Sequence, residues 1–533
     1  MHTGYFSLVL HCHLPFVRHP EYERFLEENW FFEALTETYL PLLDVFRELV
    51  RDEVPLRATV SVSPPLCEML SDRLLQERWA RYMERRVELM EEELRARKGT
   101  EFEAVAGFYR RRFLHLQSRY VPHGGEEFLA GLRRLQDAGH LEVITSAATH
   151  ALLPVLRTGE AVHAQIEQGC RCYEKYFGRR PRGFWLPECG WVEELDEALE
   201  RCGLEFFFLE SHGVLLAEPR PVHGVFAPVV TPAGLAAFGR DPESSKQVWS
   251  SDEGYPGDFD YREFHRDIGF DAPYERIQPY LDPRGDRHAL GIKYHRVTGE
   301  VPLDEKEPYD PDAAREKARE HARHFVSERK RLVREVSESI DRSPIIVSPY
   351  DAELFGHWWL EGPEFLDSVF RRLARQERVR PVTPAEYLKE NPVQQRATPA
   401  TSSWGFEGYF DVWVNGSTDW IYRHLHRAEE TMRELASEHP EAEGLLKRAL
   451  NQCYRELLLA QSSDWPFLIH TEGAPEYARR RVETHLERFG SLRDQIRRGR
   501  IEEEELAEIE RRDNIFEDAD YRLFAPAPPN PTD

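Results

Sequence analysis

The sequence predicts an α/β protein: a (β/α)7 barrel with an inserted small domain, followed by an all-helical C-terminal domain. Three observations carry this. Seven short apolar runs, at 5–11, 57–62, 141–146, 183–186, 206–209, 291–295 and 345–348, alternate with helix-period stretches. Most of these runs are apolar throughout, as strands covered on both faces are. Polar and aromatic residues gather just past nearly every run, the rim where barrel enzymes carry their chemistry. That clustering favours a closed barrel over an open doubly wound sheet, the alternative. No G-x-G-x-x-G or Walker lysine motif marks a nucleotide site.

The elements follow in order. YFSLVLH at 5–11 ends at His11-Cys12-His13. Two histidines past a strand tip suit a sugar-binding pair, a structural pair or metal ligands. A metal needs further ligands, and no H-E-x-x-H type of cluster supplies them. Trp30 precedes an amphipathic helix at 33–50 and is expected to face the same pocket. RATVSV at 57–62 stops at Ser63-Pro64-Pro65. Residues 71–120 are charged and helical in period, more than one crossover helix needs, so they read as helical decoration of the barrel. LEVITS at 141–146 leads to His150, a third histidine at a strand end. Alone it would more often be structural; with His11 and His13 it becomes a pocket candidate.

GFWL at 183–186 breaks at Pro187, which has no N–H for a ladder. It then presents Glu188 between Trp185 and Trp191. A carboxylate among tryptophans suits a sugar site; a Trp-rich core with one exposed Glu is the bland reading. FFFL at 206–209 ends at a competing carboxylate, Glu210. Residues 214–290 are rich in Pro, Gly, Asp and Tyr and include Arg240 and Trp249. A stretch this long is a functional loop region or an inserted domain. PIIVS at 344–348 runs into Asp351, His357, Trp358 and Trp359. Thr383 is placed to cap the next helix. The barrel is bounded at 1–390. The helical domain, 391–515, opens with a polar linker and aromatic loops holding Trp404 and Trp413. It contains Ser462-Ser463-Asp464-Trp465 between helices. The tail, 516–533, is Pro-rich from about 525 and reads as disordered at its end.

At 533 residues the chain can bury a large core. A formal charge of −25 argues against nucleic acid or an anionic membrane as partner and favours a neutral substrate. No apolar run approaches the roughly 18 residues of a membrane span, and no signal peptide is evident. Seven scattered cysteines without a C-x-x-C pair read as free buried thiols of a reducing cytoplasm. The expected state is a cytoplasmic monomer without a cofactor.

Glu188 and Asp351 share one context: a strand tip, adjacent aromatics and a Gly-containing turn. In a closed barrel both lie on one rim. Retaining glycoside chemistry needs two carboxyls roughly 5–5.5 Å apart, a nucleophile and an acid/base. The acid/base must stay protonated near neutral pH, which needs desolvation or a negative neighbour. Trp358 and Trp359 read as the desolvating wall of Asp351, with Glu188 as the like charge, so Glu188 is the ionised partner. A two-carboxylate glycosidase or transglycosylase leads. A metal-dependent hydrolase and a non-catalytic sugar-binding protein are the alternatives.

Six ordered blocks make the chain resemble glycoside hydrolase family 57, in its 1,4-α-glucan branching branch. They are HCHLPFVRHP at 11–20, ATH at 148–150, GFWLPECGW at 183–191, SPYDAELFGHWW at 348–359, SSWG at 402–405 and SSDWPF at 462–467. The resemblance implies a retaining double displacement with Glu188 as nucleophile and Asp351 as acid/base, and no catalytic metal. It implies an α-1,4-glucan as partner (amylose, glycogen or malto-oligosaccharide) and a 6-hydroxyl as acceptor. His11, His13, His150, Trp404, Trp413 and Asp464 fall in its sugar-lining blocks. Trp30, Trp185, Arg240, Trp249, His357 and Trp358 complete the expected substrate-binding set. An α-amylase-type hydrolase of the family and an inactive glucan-binding protein are the runners-up. Branching members carry a tyrosine on a loop that closes over the site. The expected place is 230–238 (VTPAGLAAF), which has no tyrosine; Tyr255 and Tyr261 lie further on.

Overall fold

The structure, a computed structural model, describes residues 4–250 and 253–526. Its strands are β1 (Gly4–Cys12), β2 (Ala58–Val62), β3 (Leu141–Ser146), β4 (Gly183–Trp185), β5 (Phe206–Leu209), β6 (Val229–Val230), β7 (Ala236–Gly239), β8 (Ile345–Asp351), β9 (Val379–Pro381) and β10 (Gln395–Arg396). Seven of them run parallel in the order β7-β5-β4-β3-β2-β1-β8. The two ends of this run meet: Asp241 N–H donates to Val347 C=O at 2.8 Å, and Ser348 donates to the Ser244 hydroxyl at 2.6 Å. The sheet therefore curls into a (β/α)7 barrel. β9 adds to β1, and β6 and β10 extend the β7 margin.

Strand alternation sorts side chains between two layers. Val9, Ile144, Trp185, Phe206, Phe208, Phe238, Ile345 and Val347 fill the barrel interior. Phe6, Leu8 and Leu10 face the surrounding helices. Six of the seven expected strands form. The run at 291–295 does not: Gly291 has φ 75, and this segment makes only an isolated bridge, from His295 to Pro308. It is held instead by the Asp267 carboxylate, which accepts from the Leu290 and Gly291 N–H groups and from Lys293 Nζ. The seventh barrel strand is β7, which starts inside the VTPAGLAAF stretch. Its AAFG sequence is short and carries little β-branched signal.

Helices Arg73–Ala96 and Glu103–Tyr120 pack on each other outside the barrel. Thr383 and Glu386 form a capping box on helix Pro384–Glu390. The C-terminal helices Asp419–Glu438, Gly444–Ala460, Pro475–Arg498 and Glu503–Arg512 share one continuous apolar core with the barrel's outer layer. Phe516, Tyr521 and Phe524 are buried in that same core; residues 527–533, where a disordered end was expected, lie outside the described residues. Among the described residues no helix is long and apolar enough to cross a membrane. All seven cysteines are buried and unpaired.

Candidate active site

Register brings the first site residues together. On β1, His11 pairs with Ser61 of β2 and with Asp351 of β8. Two residues beyond inward-facing Val9, its ring points into the barrel and stacks on Trp185 at 4.5 Å. Pro187 ends β4, and Glu188 follows in a tight turn with φ 61 and ψ 18. Cys189 (φ 51) and His150 (φ 57) are also left-handed. Such backbone costs about 1–3 kcal/mol per residue and persists only where the surroundings over-determine it. Here they do. Trp404 Nε1–H donates to Glu188 Oε2 at 2.8 Å. Ser463 Oγ lies 2.8 Å from Oε1. The Trp404 amide holds the Glu188 carbonyl at 3.0 Å.

Behind Ser463 runs a chain of neutral histidines. His150 Nδ1 is 2.9 Å from Ser463 Oγ, His150 Nε2 is 3.0 Å from His11 Nε2, and His11 Nδ1 is 3.1 Å from Ser61 Oγ. Burial, with neighbouring histidines, pushes both rings well below the usual range. A neutral imidazole has one donor and one acceptor nitrogen. An ionised Glu188 can only accept, so Ser463 donates to it. Ser463 then accepts from His150 Nδ1–H, His150 Nε2 accepts from His11 Nε2–H, and His11 Nδ1 accepts from Ser61. The charge on Glu188 thus sets every tautomer back to β2.

His13 differs. Burial opposes its charge, yet Asp464 at 3.1 Å outweighs this and raises it. Asp464 is correspondingly held below the carboxylate range despite burial. Ser63 hydrogen-bonds the other ring nitrogen at 2.8 Å. His13, His150 and Asp464 offer three donor atoms within 4.8 Å of one another, but they do not fit an ion. The two rings stack with centroids 3.7 Å apart and 13° between planes. Their lone pairs lie in parallel planes, so no ion can sit in both at the roughly 2.1 Å a histidine ligand needs.

Burial raises both candidate catalytic carboxyls. Glu188 reaches about 7, pulled back by Trp404 and Ser463 and pushed on by Asp464 and Asp351. Asp351 reaches about 6, pulled back by Arg240 and His13. Taken singly, those values would leave a shared proton on Glu188. The value for Glu188 already includes its two donors; both Glu188 oxygens are hydrogen-bonded, while no side-chain hydrogen bond holds the Asp351 carboxyl among the described residues. Donors to a carboxylate favour its charged form, and two close carboxyls titrate as a pair.

A cleft of about 450 Å³ continues outward from Glu353, lined by Trp30, Glu33, Phe264, Lys293, His357 and Trp358. Trp358 is half exposed and stacks on Phe264 at 4.4 Å. His357 is tied to Glu37 at 2.8 Å. Other expected residues take different parts. Trp359 is buried against Tyr261 and Phe365, so it packs in the core rather than walling Asp351. Trp185 is fully buried and supports His11 instead of offering a face to sugar. Trp413 is 1 % exposed, with its ring against Gly405, and braces the Trp404 loop. Trp249 is 64 % exposed and makes no ring contact among the described residues. Arg240 bonds Glu210 at 3.1 Å and lies over Trp404 at 5.8 Å; Glu210, the competing carboxylate, is thus held in an ion pair. The 230–238 stretch is not a free loop but the turn and strand of the β6–β7 hairpin. Tyr255 and Tyr261 are buried and hydrogen-bonded to His324 and His321, so neither is free to close the site.

Sequence reasoning missed Ser61, Ser63, Ser463 and Glu353. Glu353 accepts from the Tyr39 hydroxyl and the His13 amide; burial and Asp351 raise it to about 7. Its signal was present, two residues beyond Asp351 in the same block. The serines sit one residue from quoted motifs or inside them, and serine alone carries no signal.

The family model described as glycosyl hydrolase family 57 matches residues 7–400, and the 1,4-alpha-glucan branching enzyme C-terminal model matches 424–524. The chain is 38% identical to a curated 1,4-alpha-glucan branching enzyme of Thermococcus kodakarensis, over 96% of this chain and 77% of the relative. Among solved structures, an alpha-amylase, AmyC, of Thermotoga maritima is 44% identical with TM-score 0.92, covering 99% of this chain and 100% of that one. A family 57 branching enzyme of Pyrococcus horikoshii is 35% identical with TM-score 0.88, covering 99% and 98%. By the breadth of these matches, and with its carboxylates on the barrel rim, the chain belongs to glycosyl hydrolase family 57.

Proposed function

We propose that this chain is a 1,4-α-glucan branching enzyme, with Glu188 as nucleophile and Asp351 as acid/base. One observation carries the assignment of roles: both oxygens of Glu188 are held by donors, while among the described residues the Asp351 carboxyl has none. Glu188 attacks the anomeric carbon, and the bond to O4 breaks as Asp351 gives O4 its proton. Asp351 then takes the proton of an incoming 6-hydroxyl, which displaces Glu188 and forms the α-1,6 branch with net retention. His11 and His150 pass no net charge; they keep Ser463 aimed at Glu188. His13, Asp464 and Glu353 supply polar contacts for the sugar being cleaved, and Trp30 and Trp358 supply stacking faces along the cleft. The work is that of a cytoplasmic monomer, to which seven unpaired thiols and an uncharged glucan substrate are suited.

A second reading is an α-amylase-type hydrolase. Two observations favour it: the likeness to AmyC and the want of a tyrosine in the 230–238 stretch. Incubation with amylose separates the two. Many new α-1,6 linkages with few new reducing ends support branching; reducing ends without branches make the chain a hydrolase. Full activity in Glu188→Gln would overturn the site assignment under either reading.

A further inference from the structure

Away from the carboxylates, a second cavity of about 360 Å³ lies between the segment after β1, the helix Arg73–Ala96 and the inserted segment. Five guanidiniums line it, from Arg24, Arg78, Arg81, Arg85 and Arg86, together with His288. On a chain of formal charge −25 this concentration needs an explanation.

The lining carboxylates do not neutralise it. Glu28 is taken by Arg78, at 2.5 and 2.7 Å. Asp282 is taken by Arg284 at 3.1 Å and by the Arg284 and Gly285 amides. Glu23, the remaining acid on the wall, is exposed. Among the described residues Arg24 and Arg85 hydrogen-bond only the Leu281 and Pro279 carbonyls, and Arg24 and Arg81 are exposed. Arg86 is the telling residue. It is 2 % exposed and makes no ion pair among the described residues; its guanidinium lies 4.3 Å from the Tyr82 ring centre, and its Nε has no hydrogen-bond partner. His288 Nδ1 is likewise buried and unpartnered. A buried cation left without an anion is costly. Glu33 feels the field of Arg86 but faces the glucan cleft on the other side.

Guanidinium is the group best matched to phosphate oxygens, through paired N–H donors. The cavity volume lies within the range of small-molecule sites, and Phe25, Phe32 and Tyr280 give its wall flat apolar surface. We propose that this cavity binds a phosphate ester of a small metabolite, the phosphate on Arg24, Arg81, Arg85 and Arg86 and the organic part against the aromatic wall. The helix Glu28–Ala34 stands between this site and the glucan cleft: Glu28, Asn29 and Phe32 line one, Trp30, Glu33 and Ala34 the other.

The test is calorimetric titration of the full chain with inorganic phosphate, glucose 1-phosphate and ATP, in buffer with 150 mM NaCl. Saturable binding of at least one is expected, and the ester bound best distinguishes a sugar phosphate from a nucleotide. The double variant Arg81→Glu/Arg85→Glu should weaken that binding by at least about tenfold while leaving amylose turnover unchanged, which also shows it folds. Arg24→Gln, a milder change, should weaken it in the same direction. Binding by none of the three probes overturns the proposal. So does binding that survives in both variants, or that sodium sulfate of equal charge abolishes as readily from the variants as from the parent chain. None of these outcomes depends on whether amylose is branched or hydrolysed.

Discussion

The two oxygens of Glu188 are held by donors of different kinds, and this makes its titration adjustable one residue at a time. Trp404 Nε1–H can only donate; Ser463 is directed by the histidine chain behind it. The carboxyl pair should give a bell-shaped kcat/KM profile with limbs near the raised values of about 6 and about 7. On the proposed roles the acid limb reports ionisation of Glu188 and the alkaline limb that of Asp351, the two titrating as a pair. Removing a donor that favours the charged form raises that carboxyl, so Trp404→Phe should move the acid limb alkaline by about one unit; an unmoved limb would show that Trp404 does not hold the charge. Asp351→Asn removes the proposed proton donor and should lower kcat by about 10²- to 10⁴-fold. It should also abolish the alkaline limb, which a merely structural loss would leave in place. Glu188 and Asp351 stood out in the sequence as candidates because each lies at a strand tip beside aromatics. Ser463 and Ser61 were not, because their role comes from hydrogen bonds that only the assembled barrel makes.

At the scale of elements, the site depends on close backbone approaches that fix where each rim segment lies. Gly356, just after β8, has φ 131, and a Cβ there would come within 2.1 Å of the Glu37 carbonyl oxygen. That contact seats the His357–Glu37 pair against the cleft. Gly356→Ala should therefore cost at least about 2 kcal/mol, from backbone strain and overpacking together, seen as a lower Tm. It should also raise KM for amylose more than it lowers kcat; an unchanged KM would disconnect this turn from glucan binding. Strands β1 to β5 and β8 could be read from sequence because aromatic, aliphatic and β-branched residues make up most of them. The strand expected at 291–295 illustrates the limit. Its composition passes for a strand, but Asp267 offers its N–H groups a better partner than any sheet edge. The short AAFG of β7 is made a strand by its neighbours β5 and β6 rather than by its own propensity.

Across the whole molecule, the barrel does not own the candidate site. Trp404, Ser463 and Asp464 arrive from beyond residue 390 and meet Glu188 and His13 of the barrel. The buried core is continuous across the same boundary, so the two parts are fastened both by apolar packing and by the His13–Asp464 pair. That pair has a defined pH window. The raised His13 contributes fully below its ordinary value of 6.5 and loses its contribution as pH climbs through the raised one. The lowered Asp464 contributes fully above its ordinary 3.8 and loses its contribution as pH falls through the lowered one. Between 3.8 and 6.5 both are charged, and Asp464→Asn should there cost on the order of 1–3 kcal/mol, the value of a charge-assisted hydrogen bond. Thermal unfolding of the parent and the variant, side by side, measures it. The gap between their Tm values should be widest near pH 6 and should close on the alkaline side as His13 gives up its proton. A gap that stays constant across neutral pH would mean that apolar packing alone docks the helical region on the barrel.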